Sequence, residues 1–344
     1  MTALTTTWPE FLVSRGARRT LPSSVDFGNP EAELRSAQSG DAIAPLTHLA
    51  TLTFRGTDAE SFLQGQLTCN VQGLDAAHAT LGAYCTPQGR MLATFLLWRD
   101  GDGLSMVLSA DIADAVRKRL TMFVLRAKVE IGAPDPARIA LMGVSGAGGA
   151  RAVHAVVGAC PANQMDLVRD GDVTAIRLRG ERILVATPAE HAPALWQRLT
   201  ETLAPVGTAA WQWLDIVAGV PHVTAPTQDR FVPQMANLEL IGGVDFRKGC
   251  YTGQEVIARS QYRGKVKRRL YLAHVEGAEA SAGDEILDGA EAVSGTIMNA
   301  APSPEGGIDV LAILQDAAAA AGDLRLRAAD GPRLRIRALP YEIE

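Results

Sequence analysis

Between residues 46 and 131, apolar patterns with periods of two and of 3.6 residues succeed one another in a fixed order. That order restricts the fold more than any other feature of the chain. Residues 46–54 alternate as a strand and stop at Arg55-Gly56. A helix is predicted from Thr57, with Thr57 and Glu60 spaced as a capping box. Residues 81–85 and 91–99 flank the turn Thr86-Pro87-Gln88-Gly89 as a β-hairpin. A second turn, Asp100-Gly101-Asp102-Gly103, leads to a strand over 104–108, an amphipathic helix over 110–121 and a strand over 124–131. Strand–helix–strand–strand–helix–strand is an α+β order of the ferredoxin-like kind.

A second cycle follows a joint at Pro134 and Pro136. It reads as a strand over 139–144, a helix to about 157, a hairpin of 173–178 and 182–186, a helix over 189–203 begun by Thr187 and Pro188, and a helix over 211–218. The cluster Ser145-Gly146-Ala147-Gly148-Gly149 invites a phosphate-loop reading. It lacks the Lys-Ser/Thr ending and does not fit GxGxxG, so a plain strand-to-helix turn is preferred. From residue 270 onward short strands alternate with Gly, Asp and Pro turns, the pattern of a small closed β-barrel. The expected divisions are an N-terminal extension over 1–30, α+β units over 31–133 and 134–260, and a barrel over 261–344. Residues 21–31 are turn-rich and read as a loop.

At 344 residues the chain is long for a single core, and 47% hydrophobic content excludes a disordered protein. A net charge of -5 argues against a nucleic-acid coat, though not against a local basic patch. Four scattered cysteines without CxxC suggest a reducing, cytoplasmic setting and no structural metal. Arg15, Arg18 and Arg19 against a single Glu10 also suit a short organellar leader. Trp8, Phe11 and Leu12 fit an amphipathic helix docked on the body, which is preferred.

The chemistry concentrates at Lys248-Gly249-Cys250-Tyr251-Thr252-Gly253-Gln254-Glu255. Gly249 is expected to turn the chain tightly. A helix is expected to follow, capped at Thr252 or Gly253, with Glu255 favoured by its N-terminal dipole. Cys250 then precedes a helix N-terminus beside Arg247 and Lys248, two features that favour a thiolate, and Tyr251 could cover it. Cys69, Cys85 and Cys160 have ordinary surroundings and read as small buried hydrophobes. Beyond the cysteine, Arg259, Arg263, Lys265, Lys267, Arg268 and Arg269 carry no acid among them. The run reads equally as an anion site or as a strand edge protected against aggregation.

These residues resemble a known family. KGCYTGQE followed by a basic run is similar to the signature of the YgfZ-type folate-binding proteins, relatives of the glycine-cleavage aminomethyltransferase. Further landmarks are Phe62-Leu63-Gln64-Gly65-Gln66-Leu67-Thr68, Pro87-Gln88-Gly89-Arg90-Met91, Phe231-Val232-Pro233-Gln234-Met235-Ala236-Asn237-Leu238 and Leu339-Pro340-Tyr341. They run from about residue 31 to the end. The resemblance implies two intertwined ferredoxin-like units and a C-terminal β-barrel around a channel that takes tetrahydrofolate. It implies a folate-contacting tryptophan at Trp211, with Tyr251, Gln254 and Arg259 as further candidates for the cofactor. From sequence alone Trp211 is equally a buried helix aromatic beside Trp213.

Three departures from the transferase pattern stand out. Ala93 and Thr94 occupy the neighbourhood of its catalytic aspartate. Val217 stands where a glutamate would hold the pterin, a loss worth about 1–3 kcal/mol if a donor is left unpaired. Leu49 replaces a tryptophan found in some relatives, while His48 keeps the transferase's histidine. The resemblance therefore implies an accessory protein for assembly or repair of iron–sulfur enzymes, with indirect effects on tRNA thiolation. Cys250 is its working thiol, able to hold a cluster transiently or to do redox or nucleophilic chemistry, and Lys248 supports it. The alternatives are a folate-dependent one-carbon transferase or demethylase and, third, a tRNA-binding protein using residues 259–269. The expected partners are folate and iron–sulfur scaffold or client proteins, with tRNA contact not expected and no membrane.

Overall fold

The computed structural model describes residues 7–21, 23–262, 266–277 and 279–343. The chain opens with helix α1 (Trp8–Ser14), which buries Trp8, Phe11 and Leu12. The expected docking on the body is observed, with the Trp8 ring edge-on to Trp196 at 5.7 Å. A capping box joins Thr7 and Glu10. A small hairpin follows, β1 (Arg18–Leu21) and β2 (Ser24–Asp26), so part of the expected loop over 21–31 is strand. Next come α2 (Pro30–Ser39) and β3 (Ala42–Pro45).

The first α+β unit is built from β4 (Leu49–Arg55), α3 (Ala59–Gln66), β5 (Ala79–Cys85), β6 (Met91–Asp100), β7 (Gly103–Ser109), α4 (Ala110–Val124) and β8 (Glu130–Ile131). Its sheet order is β5-β6-β7-β4-β8. Two expectations need correction. The strand over 124–131 shrinks to Glu130–Ile131, because α4 runs on to Val124 and Leu125 turns the chain at φ 47°. The box at Thr57 does not form: Glu60 pairs with Arg99, and Asp58 accepts the Lys128 amide instead.

The second unit holds β9 (Ile139–Ser145), α5 (Gly146–Val157), β10 (Leu167–Asp170), β11 (Val173–Leu178), β12 (Arg182–Pro188), α6 (Ala192–Leu199), β13 (Ala204–Pro205) and α7 (Thr208–Val217). Its sheet order is β10-β11-β12-β9-β3-β13. Strand β3 precedes the first unit in the chain yet lies in the second unit's sheet, paired to β9 and β13. This exchange intertwines the two units. Helix α6 is shorter than expected: Pro188 closes β12, and the proline in the helix's first turn is Pro193. The glycines of α5 let Asp41 approach its N-terminus, where Oδ1 accepts the Gly148 amide at 2.6 Å. A carboxylate already fills the place a phosphate would take.

The last part carries α8 (Gln254–Tyr262), β14 (Arg268–Val275), β15 (Glu285–Asp288), β16 (Val293–Pro302), β17 (Ile308–Gln315), α9 (Asp316–Ala321), β18 (Leu324–Leu326) and β19 (Leu334–Arg337). The sheet order is β18-β15-β16-β17-β14-β19, and its two ends meet at a bridge between Arg325 and Arg333. The sheet thus curls close to a barrel. Helix α7 lies between this barrel and the second sheet. Trp211 lies against Gly143 of β9, where a Cβ would stand 2.4 Å from the ring, and Trp213 donates from Nε1 to Asp309 of β17 at 2.9 Å. Among the described residues no helix is long and apolar enough to cross a membrane.

Candidate functional site

Helix α7 gives each side of its surface a different task. Thr208, Gln212, Asp215 and Ile216 repeat at helical spacing and line a cavity of about 660 Å³. The cavity is bounded by the β1–β2 hairpin, His48, the start of α4, the segment around His222 and Asn299 of the barrel. Trp211 faces inward to a smaller adjoining cavity of about 60 Å³, which shares Asp215, Val220 and His222 with the first. The Arg182 guanidinium lies 5.5 Å over the Trp211 ring and hydrogen-bonds Asp215.

Asp215 is the electrostatic centre of this region. Burial pushes its carboxyl up, but Arg182 and His222 outweigh burial and hold it at about 2. His222 Nε2 stands 3.4 Å from Asp215 Oδ2. His48 is pushed down to about 4 by burial, which outweighs the attraction of Asp215 and is aided by the nearby His222. Among the described residues, His48 Nδ1 and His222 Nε2 are buried without a hydrogen-bond partner. Sequence reasoning passed over Asp215, Arg182 and His222. The available signal was helical spacing, since Asp215 is four residues from Trp211 on the same helix.

The cysteine segment lies elsewhere. Lys248 Nζ donates to the carbonyls of Gln64, Leu67 and Cys69 at 2.7, 2.6 and 2.8 Å, at the C-terminal end of α3. It also sits 4.9 Å over the Tyr251 ring. Burial lowers Lys248 to about 8, against the opposing pull of Cys69 and Asp245. All three of its protons are committed to carbonyls, so Lys248 acts as an anchor for the loop and has no proton left to give the sulfur. Tyr251 is buried, while Cys250 and Arg247 are exposed. The tight turn belongs to Gly253, with φ +84° and a Cβ position 2.5 Å from the Thr86 carbonyl oxygen. Gly249, expected to have that role, has open space around it and no left-handed φ.

Gln254 opens α8 half-buried, and Arg259 is exposed and paired with Glu255 at 2.7 Å. None of the described residues from 248 to 259 lines the two cavities around α7, so Trp211 and Cys250 do not share one opening there. Of the basic run, Arg269 is tied to Glu239, and Arg263 and Lys265 lie outside the described residues. Cys69 and Cys85 are buried, with the Cys69 thiol pushed up to about 12 by burial. Cys160 is half-buried. On the hairpin, Thr94 accepts the Val223 amide at 2.9 Å and Ala93 is fully buried. Val217 packs at the margin of the main core.

No protein-family profile matches the chain. The tRNA-modifying protein YgfZ of Escherichia coli O7:K1 (strain IAI39 / ExPEC) is 30% identical over 321 residues, covering 92% of this chain and 98% of that protein. The chain belongs to the YgfZ family. The glycine cleavage system aminomethyltransferase T from Bartonella henselae has the same fold, with a TM-score of 0.79 at 17% identity over 98% of both chains. The expected architecture of intertwined α+β units and a curled C-terminal sheet matches that aminomethyltransferase fold. The anchor at Lys248 and the turn at Gly253 give the KGCYTGQE segment of this YgfZ-family chain a structural reason. Each fastens the cysteine loop to a different part of the first unit.

Proposed function

We propose that the chain binds tetrahydrofolate in the cavities beside α7 and acts as an accessory protein to iron–sulfur enzymes through the thiol of Cys250. The observation that carries this reading is the cavity of about 660 Å³ with an aromatic and carboxylate floor in its inner extension. The buried His48 Nδ1, without a hydrogen-bond partner among the described residues, suits a polar, ring-sized ligand. The buried Trp211 ring shapes the inner extension, Arg182 keeps Asp215 ionised, and His48 and His222 offer hydrogen-bonding nitrogens. Bound there, tetrahydrofolate would supply a reduced pterin able to carry one-carbon units. Saturable quenching of tryptophan fluorescence by tetrahydrofolate is expected in the wild type, with affinity at least about tenfold weaker in Trp211→Ala. A wild-type protein that gives no saturable change would remove folate from the account.

The exposed sulfur of Cys250 on an anchored loop supports contact with another protein or a small thiol. One cysteine cannot fill the four thiolate positions of a cluster, so any cluster held there would be shared with a second thiol source. The link to tRNA modification is drawn from the relative's name, and in this reading it is indirect, through enzymes that thiolate tRNA. Ion pairs at Arg259 and Arg269 leave the basic run less charge for a phosphate backbone. Cys250→Ala should fail to restore iron–sulfur enzyme activity in a strain lacking the gene. Full rescue would take the thiol out of the mechanism. A one-carbon transferase fits less well, because the hairpin offers Thr94, already bound to Val223, where an acid would be needed.

A further inference from the structure

His222 is held unusually well for a residue outside any helix or strand. Its amide donates to Asn299 Oδ1 and its carbonyl accepts from Asn299 Nδ2, both at 2.9 Å, and the next amide is bound by Thr94. Hairpin and barrel thus fix the backbone from two sides. The side chain presents Nε2 to Asp215 at 3.4 Å and lines both cavities. A carboxylate kept ionised at that distance favours the tautomer with its proton on Nε2. The other nitrogen, Nδ1, is then a lone-pair acceptor left for a ligand.

We propose that His222, aligned by Asp215 and clamped by Asn299, accepts a hydrogen bond from an N–H of the bound reduced pterin and so supplies the acceptor that Val217 does not. The inference rests on the folate reading above. It has a signature in pH, because a protonated Nδ1 cannot accept. Affinity should therefore fall wherever the His222 imidazole of the unliganded protein takes up a proton. The charged and titratable groups that line the cavities with His222 are Asp215 on α7, Arg182 on β12, His48 ahead of β4, Arg179 in the turn after β11 and Asp111 at the start of α4. The barrel and the β1–β2 hairpin contribute uncharged side chains to the same lining. His48 is held neutral down to about pH 4 and takes no part above that.

The test is a tetrahydrofolate titration by tryptophan fluorescence, under anaerobic conditions, at pH 5.5, 6.5, 7.5 and 8.5. Wild type, His222→Gln and His48→Gln are compared, so that the ligand's own titration cancels. The expected result is a Kd that weakens toward pH 5.5 in wild type and His48→Gln, and a change within about twofold in His222→Gln. A flat wild-type profile, or a pH response that survives in His222→Gln, would overturn the inference and leave the folate reading standing. No saturable binding by wild type at pH 7.5 would overturn both. Nitrogen-15 histidine spectra of the wild-type protein give the same answer without a substitution. Saturating ligand should move one imidazole's titration midpoint downward among the six histidines, and no movement would reject the role.

Discussion

Asp215 keeps its charge where burial alone would remove it, and the cost is met by Arg182 and His222. A carboxyl lowered in the folded state from an ordinary 3.8 to about 2 contributes stability above about pH 4, and that contribution is lost as pH falls through 2. Asp215→Asn should cost about 3 kcal/mol at pH 7, because Arg182 is left buried without its partner. The deficit against wild type should narrow toward pH 3 in urea midpoints. At this scale the sequence discloses residues with chemically unusual neighbours. Cys250 and Lys248 stand out in the sequence for that reason, though the anchoring task of Lys248 was not legible. Its polar, glycine-rich setting suggested help to the sulfur, whereas its three acceptors are backbone carbonyls that any sequence would supply. Asp215 was hidden because its partner Arg182 lies 33 positions away, on a strand of another element.

Helix α8 begins where Gly253 presses against the Thr86–Gly89 hairpin turn. Gly253→Ala should destabilise by more than about 1 kcal/mol, since alanine must adopt a positive φ and meet a carbonyl oxygen. Gly249→Ala should stay within about 0.5 kcal/mol. Thermal melts of the two variants separate a turn glycine from a loop glycine. Elements with strong internal periodicity, such as the β5–β6 hairpin, α4 and the barrel strands, stood close to where their patterns put them. The misses share one cause. β-branched residues near Val129 mimicked a longer strand, and Pro188 mimicked a helix start, because each pattern is decided by tertiary pairing rather than by local preference. The four-residue β3 and the two-residue β13 carry too little pattern of their own to be read without their partners.

The intertwined units and the barrel are joined through α7, with Trp211 on one sheet and Trp213 bonded to Asp309, which also meets His274 at 2.7 Å. Trp213→Phe should lower global stability by about 1–2 kcal/mol by leaving Asp309 short of a donor. A single denaturant transition with a reduced midpoint would show it, whereas an uncoupled barrel transition would show that the link was the sole coupling. Intertwined units were expected from the family resemblance, whereas β3, the strand that makes the exchange, was not read from the sequence. The three carbonyls that Lys248 grips stand 179 to 184 positions earlier in the chain. A growing polypeptide therefore makes the mount long before it makes the sulfur. The mount is made by the opening third of the molecule, and a chain damaged there keeps its thiol without the support that poses it.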